Sequence, residues 1–141
     1  MTSHSIAPHF KEALIKQLNY FDDNITDILR TLPNYVERNQ LHELIREYRY
    51  RIERYLEGIS IEGPDHLAWI GSTVHVRFDF DGTEESYSIA LPHEVNLDEG
   101  QISFLSPMGQ RLLLARVGTN VEIDSPSGKY GITVTKLSYI L

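Results

Sequence analysis

A chain of 141 residues with 41% hydrophobic and 23% charged side chains has the composition of a globular protein with one ordinary core or two modest ones. Its formal charge of -7 argues against nonspecific binding to a phosphate backbone, which cation-rich surfaces drive, and favours a protein partner or a basic channel. The absence of cysteine excludes a disulfide framework and thiolate chemistry and fits a cytoplasmic location. No apolar run approaches the roughly 20 residues of a membrane span, so a soluble protein is expected.

The opening stretch "MTSHSIAPHF" lacks a basic patch followed by an apolar segment, so no secretory signal is expected. From there Phe10, Leu14, Leu18, Phe21, Ile25, Ile28 and Leu32 recur at gaps of three and four, a heptad-like stripe that predicts an α-helix. Pro8 suits its first turn and Pro33 stops it, which gives a helix of roughly 24 residues, about 36 Å long. A second stripe, Leu41, Ile45, Tyr48, Ile52 and Tyr55, is broadened by Leu44 and Leu56 and closed by Gly58. Two helices joined by the short stretch "LPNYVERNQL" are expected to lie antiparallel, as a coiled-coil hairpin. Glu43 and Glu47 precede Arg46 and Arg51 at helical spacing and mark a solvated face; Asp22, Asp23 and Asp27 are read the same way.

"EGISIEGPDHLAW", Glu57 to Trp69, carries glycines and a proline and reads as a linker. The domains are therefore placed at 1–62, a hairpin with its tip at 33–40, and 63–141. After the linker the period changes to two. Val74, Val76, Phe78 and Phe80, the turn at Asp81-Gly82, then Tyr87, Ile89 and Leu91 predict a β-hairpin. Ile102 and Phe104 predict a short strand, Ser106 an N-cap, Pro107 the first residue of a helix over "MGQRLLLAR", and Gly118 its end. Val121 and Ile123, the "SPSG" turn, and Tyr130, Ile132 and Val134 form a second hairpin that runs out through Leu137 and Tyr139. The fold class is α+β: a helical hairpin followed by a small antiparallel sheet with one short helix.

Signatures of self-contained chemistry are missing. His4, His9, His42, His66, His75 and His93 show no metal-binding spacing. There is no P-loop, dinucleotide fingerprint or nucleophile elbow. Tyr48, Tyr50 and Tyr55 sit at helical spacing and are read as packing groups rather than base-stacking ones.

The stretches "GSTVHVRFDFDGTEESYSI", "ISFLSPMGQRLL" and "VEIDSPSGKYGITVTKLSYI" resemble the C-terminal domain of the Gre transcript-cleavage factors. These bacterial proteins join an FKBP-like globular domain to an N-terminal helical hairpin. The resemblance runs from about Ile70 to the C-terminus and centres on Ser106, Pro107 and Gly109, followed by Gly118. It implies docking of the globular domain on RNA polymerase at the mouth of the secondary channel, with the hairpin inserted towards the active centre. In cleavage-competent members two acids at the tip, in a D-x-x-E arrangement, help to hold a second Mg²⁺ and its water. Mg²⁺ takes hard oxygen ligands in octahedral geometry, and a second metal needs negative charge to balance it.

The matching tip here reads Asn34-Tyr35-Val36-Glu37. Asn34 brings neither charge nor a base, and losing one electrostatic contact of this kind costs about 3 kcal/mol, or roughly a hundredfold in rate. The hairpin is also expected to be about two turns, or roughly 11 Å, shorter than the family's, as in the related Rnk-type regulators of nucleoside diphosphate kinase, which bind polymerase without promoting cleavage. In the family the loop after the first β-hairpin is acidic; here "LPHEVNLDEG" keeps Glu94, Asp98 and Glu99 but has Pro92, His93 and Asn96. The resemblance thus implies a polymerase-binding regulator of elongation that is not an enzyme itself, needs no cofactor of its own, and meets Mg²⁺ only as the polymerase's ion. Tyr35, Glu37, Arg38, Glu94, Asn96 and Asp98 are the candidate contacts, with Asn34 and Glu37 the residues on which cleavage would turn. Neither direct nucleic-acid binding nor membrane association is expected, and a homodimer stays open. Two alternatives stand beside this reading: cleavage of backtracked RNA supported by Glu37, and an interaction module unrelated to polymerase.

Overall fold

The computed structural model describes residues 8–139; His4 and the stretch read as lacking a signal before Pro8 lie outside them. The described residues form two compact units, one ending at Ile61 and the other starting at Glu62. Among them no helix is long and apolar enough to cross a membrane.

The first unit is a helical hairpin of α1 (Pro8–Arg30) and α2 (Tyr35–Leu56). Phe10, Leu14, Phe21 and Ile28 of α1 and Leu41, Ile45, Tyr48, Ile52 and Tyr55 of α2 are buried, as the two stripes require. Phe10 meets Tyr55 edge-on at 5.2 Å between ring centroids and Phe21 meets Tyr48 at 6.0 Å, so the start of α1 lies beside the end of α2 and the pair is antiparallel. Ile25 and Leu32 of the first stripe are half-buried, and one further position departs more sharply. Leu18 is only half-buried, and Gln17 is buried in its place, accepting the Tyr48 hydroxyl at 2.5 Å. A phenol in a helix interface needs an acceptor, and the heptad spacing from Leu14 to Phe21 puts residue 17, not 18, on the seam.

α1 ends before Pro33 as expected. Its last turn closes through the Thr31 N–H and hydroxyl, which both donate to the Ile28 carbonyl at 3.1 and 2.6 Å. α2 begins much sooner than the expected tip of 33–40 allows: only residues 31–34 lie between the helices. The reason is local, because Asn34 caps α2 and commits the following residues to its first turn. On the outer face the pairs Arg46–Glu43 and Arg51–Glu47 form at 3.5 and 3.2 Å. Asp22 does not merely face solvent; it receives Arg49 of α2 at 2.5 Å.

The second unit contains β1 (Ser72–Phe78), β2 (Glu84–Ala90), β3 (Gln101–Ser103), α3 (Pro107–Leu112), β4 (Asn120–Ser125) and β5 (Gly128–Tyr139), with sheet order β3-β2-β1-β5-β4. Both expected hairpins are present. The sheet differs from a wholly antiparallel one in a single pair, β2 with β3, which run parallel with Ile89 opposite Ile102. Residues 91–100 fold into two 3₁₀ turns, and Gly100 in the left-handed region (φ 73°) redirects the chain beside the strand it left. The sheet is therefore mixed. Its core face presents Val74, Val76, Ile89, Val121, Ile123, Ile132 and Val134, packed with Leu91, Phe104 and Leu112.

Three further differences arise from tertiary contacts. α3 stops at Leu112 rather than running to Gly118, because the backbone beyond it pairs elsewhere. Leu114 N–H donates to Ala68 O at 2.7 Å and Ala68 N–H to Ala115 O at 2.9 Å, and Leu114 takes φ 66° to allow this. The Gly118 N–H instead donates to Val134 O at 2.8 Å and leads the chain into β4. The end of the apparent linker is core: Leu67, Ala68 and Trp69 are buried, as is Ile70 just beyond it. Finally, Phe80 does not continue the alternation of β1. The strand ends at Phe78, and Phe80 lies 68% exposed in the turn.

Candidate functional site

The tip of the hairpin is built from one cap. Asn34 is extended (φ -81°, ψ 123°) and its Oδ1 accepts the Glu37 N–H at 3.1 Å, while its own carbonyl accepts the Arg38 N–H at 3.0 Å. The Arg38 guanidinium folds back to donate to Leu32 O at 3.0 Å and lies 5.8 Å from the Tyr35 ring centroid. Tyr35 and Val36 are 68% and 59% exposed. Glu37 is exposed in the first turn of α2, where the helix dipole favours a carboxylate. Asn34, Tyr35, Glu37 and Arg38 therefore share a single turn, with an apolar, aromatic outer surface.

This donor set does not suit Mg²⁺. The ion wants several hard oxygens, and the tip offers one carboxylate, with the Asn34 oxygen already engaged by the backbone. Among the described residues no group of three His, Asp or Glu side chains could hold a metal ion.

In the second unit Glu94, Asn96 and Asp98 sit on the two 3₁₀ turns between β2 and β3. Asn96 is held from both sides: its Oδ1 accepts the Asp98 N–H at 3.1 Å and its N–H donates to Gln101 Oε1 at 2.8 Å. The carboxylates of Glu94, Asp98 and Glu99 are thus displayed on exposed residues, and Leu97 projects among them at 77% exposure.

The Ser106 motif has a different task. The Ser106 hydroxyl donates to Ser103 O at 2.7 Å and accepts the Gly109 N–H at 3.0 Å, and Pro107 occupies the position where a helix has no use for an N–H. Gly109 is needed for close approach: a Cβ there would stand 2.1 Å from Ser103 O and 2.9 Å from Phe104 Cα. Serine, proline and glycine together dock α3 flat against the end of β3.

Reading the sequence missed Gln17, Leu97 and Leu114. For Leu97 the signal was available, an apolar residue inside an acidic stretch; for Leu114 no local signal exists, since its partner Ala68 lies far away in the chain.

A capped helical hairpin and a curled, mixed five-stranded sheet with one docked helix define a two-unit α+β protein. The family model described as "Transcription elongation factor, GreA/GreB, C-term" matches residues 64–139. The chain belongs to the GreA/GreB family. It is 43% identical over 93 residues to transcription elongation factor GreA of Chloroflexus aurantiacus, covering 66% of this chain and 59% of that one. It is 37% identical over 101 residues to GreA of Roseiflexus castenholzii, covering 72% and 64%. The matched region thus spans about three-fifths of these curated relatives. The structure of a GreA/GreB elongation factor from Nitrosomonas europaea shares the fold, with a TM-score of 0.59 at 21% identity over 95% of this chain and 98% of that one.

Proposed function

We propose that this chain binds RNA polymerase as a cytoplasmic regulator of elongation, its hairpin occupying the secondary channel without full transcript-cleavage activity. The observation that carries this reading is the state of Asn34. Where the family's cleavage-competent members have the first acid of D-x-x-E, this chain has a neutral side chain whose oxygen is held by the Glu37 amide. The tip can fill a channel with Tyr35 and Val36, but it brings a single carboxylate to a metal that needs more. The polymerase remains the catalyst, and the chain needs no cofactor of its own. In having a tip that occupies rather than cleaves, it resembles the Rnk-type regulators.

The exposed Glu37 carboxylate supports a second reading, a residual stimulation of cleavage. Core polymerase binding and RNA shortening in backtracked elongation complexes separate the readings. The first expects binding at micromolar concentration, no shortened RNA, and competition with a cleavage-active factor. Shortened RNA that disappears in Glu37→Ala supports the second. Failure to bind polymerase overturns both.

A further inference from the structure

β2 is paired unequally on its two sides. Along one side β1 accompanies it from Glu84 to Ser88, whereas on the other β3 begins only at Ser88 and continues through Ala90. The Thr83 carbonyl accepts from Phe78, so odd-numbered residues turn their backbone groups towards β1; the Ser88 N–H donates to Gly100 O at 3.0 Å on the opposite side. Glu84 and Ser86 share the parity of Ser88, so their backbone groups point outwards. No described backbone group pairs with them there. An open strand edge of this kind is a template for another strand.

The side chains around the edge limit what can be added. Glu84, Glu85 and Ser86 are exposed and, with His75, line a shallow groove of about 260 Å³. Glu85 lies opposite Val76 and so points to the core face, beyond whose end Phe78, Phe80 and Tyr130 form a cluster with centroids 5.5 to 6.0 Å apart. Across residues 72–90 there are four acids, Asp79, Asp81, Glu84 and Glu85, against one base, Arg77. Two copies of this edge would set acids opposite acids, which is unfavourable. A basic strand meets no such repulsion.

We propose that the open half of β2, Glu84 to Tyr87, is a docking edge for an extended protein segment that carries lysine or arginine at alternate positions. The added strand bonds to the outward backbone groups of Glu84 and Ser86; its basic side chains, all on one face, meet Glu84, and its apolar side chains lie on the other face, towards Tyr87 and the aromatic cluster. The open half of β2 ends beside the turn that leads into β3: the Ser88 N–H donates to Gly100 O at 3.0 Å, and a Cβ on Gly100 would stand 3.7 Å from Ser86 O.

The test uses the isotope-labelled full chain and a short peptide alternating lysine and valine, with amide shifts and hydrogen exchange read residue by residue. At about 1 mM peptide, the range for a single short strand, the Glu84 and Ser86 amides are expected to shift and to exchange at least about tenfold more slowly. A glutamate/valine peptide should do neither, nor should a lysine/valine peptide N-methylated at alternate amides. Glu84→Lys combined with Glu85→Lys, two exposed positions, should transfer the preference to the acidic peptide. No change at these amides, equal response to the acidic peptide, or an undiminished response to the N-methylated one overturns the proposal. So does protection that appears with rising protein concentration alone, since the occupant is then a second copy.

Discussion

Gly109→Ala tests the account of how α3 is docked. An ordinary C···O contact is about 3.3 Å, and the new methyl would start 2.1 Å from Ser103 O, so α3 must retreat by about 1.2 Å. Backbone lies on the far side of the contact, which leaves no flexible side chain to yield. Overpacking of this severity costs about 1–3 kcal/mol, and the displaced Ser106 cap, which bonds both Ser103 and Gly109, adds about 1 kcal/mol. Alanine returns about 1 kcal/mol of helix propensity. The net expectation is about 2 kcal/mol, which for a unit of this size lowers the melting temperature by about 10 °C. The chain's single tryptophan, Trp69, is buried in the same unit, so its fluorescence in a thermal or urea melt reports on that unit directly. Gly118→Ala serves as a contrast: with φ 91° and nothing within 4 Å of its Cβ, it should cost only about 1 kcal/mol, from backbone strain. A Gly109→Ala melt within about 2 °C of the parent would refute the close-packing argument.

Other consequences can be measured on the same scale. Asn34→Ala should destabilise the hairpin by about 1 kcal/mol through loss of the α2 cap, whereas Asn34→Asp should keep the cap, gain a few tenths from the helix dipole, and raise cleavage of backtracked RNA by about a hundredfold if the tip is otherwise competent; an unchanged cleavage assay would place the defect in hairpin length instead. Tyr48→Phe removes the donor to buried Gln17 and should cost about 1–2 kcal/mol in urea melts of the hairpin, while Tyr48→Phe combined with Gln17→Leu should recover most of it. Burial, aided by the nearby Glu94 charge, pushes the Tyr139 phenol above its ordinary value of 10.0. The folded state therefore holds that proton longer than the unfolded one, so its contribution is intact below pH 10 and is lost as pH rises through the raised value. Alkaline melts of Tyr139→Phe should show a shallower decline than those of the parent.

The two halves of this chain were legible to different degrees. Period alone marked the helices, since stripes at three and four can bury one face only as helices, and all five positions of the second stripe are buried. The hairpin tip was misjudged because "NYVERN" looks polar and loop-like, whereas one capping side chain draws Tyr35, Val36 and Glu37 into α2. The strands could be read from alternation, and Ser106-Pro107 marked a helix start correctly, because capping chemistry is local. Its end could not be read, since Leu113 and Leu114 are good helix formers.

What the sequence determined by itself is therefore what nearest neighbours decide: two apolar stripes, two hairpin turns and one capped helix. What only the tertiary structure decided depends on groups distant in the chain. The Ala68 backbone competes for the hydrogen bonds that would extend α3. The Tyr48 hydroxyl finds its acceptor in Gln17 across the hairpin, and the return of the chain beside β2 makes one strand pair parallel while leaving half of that strand's edge open. Hydrogen-bond partners far apart in sequence leave no periodic trace, and each of these outcomes is set by such a partner.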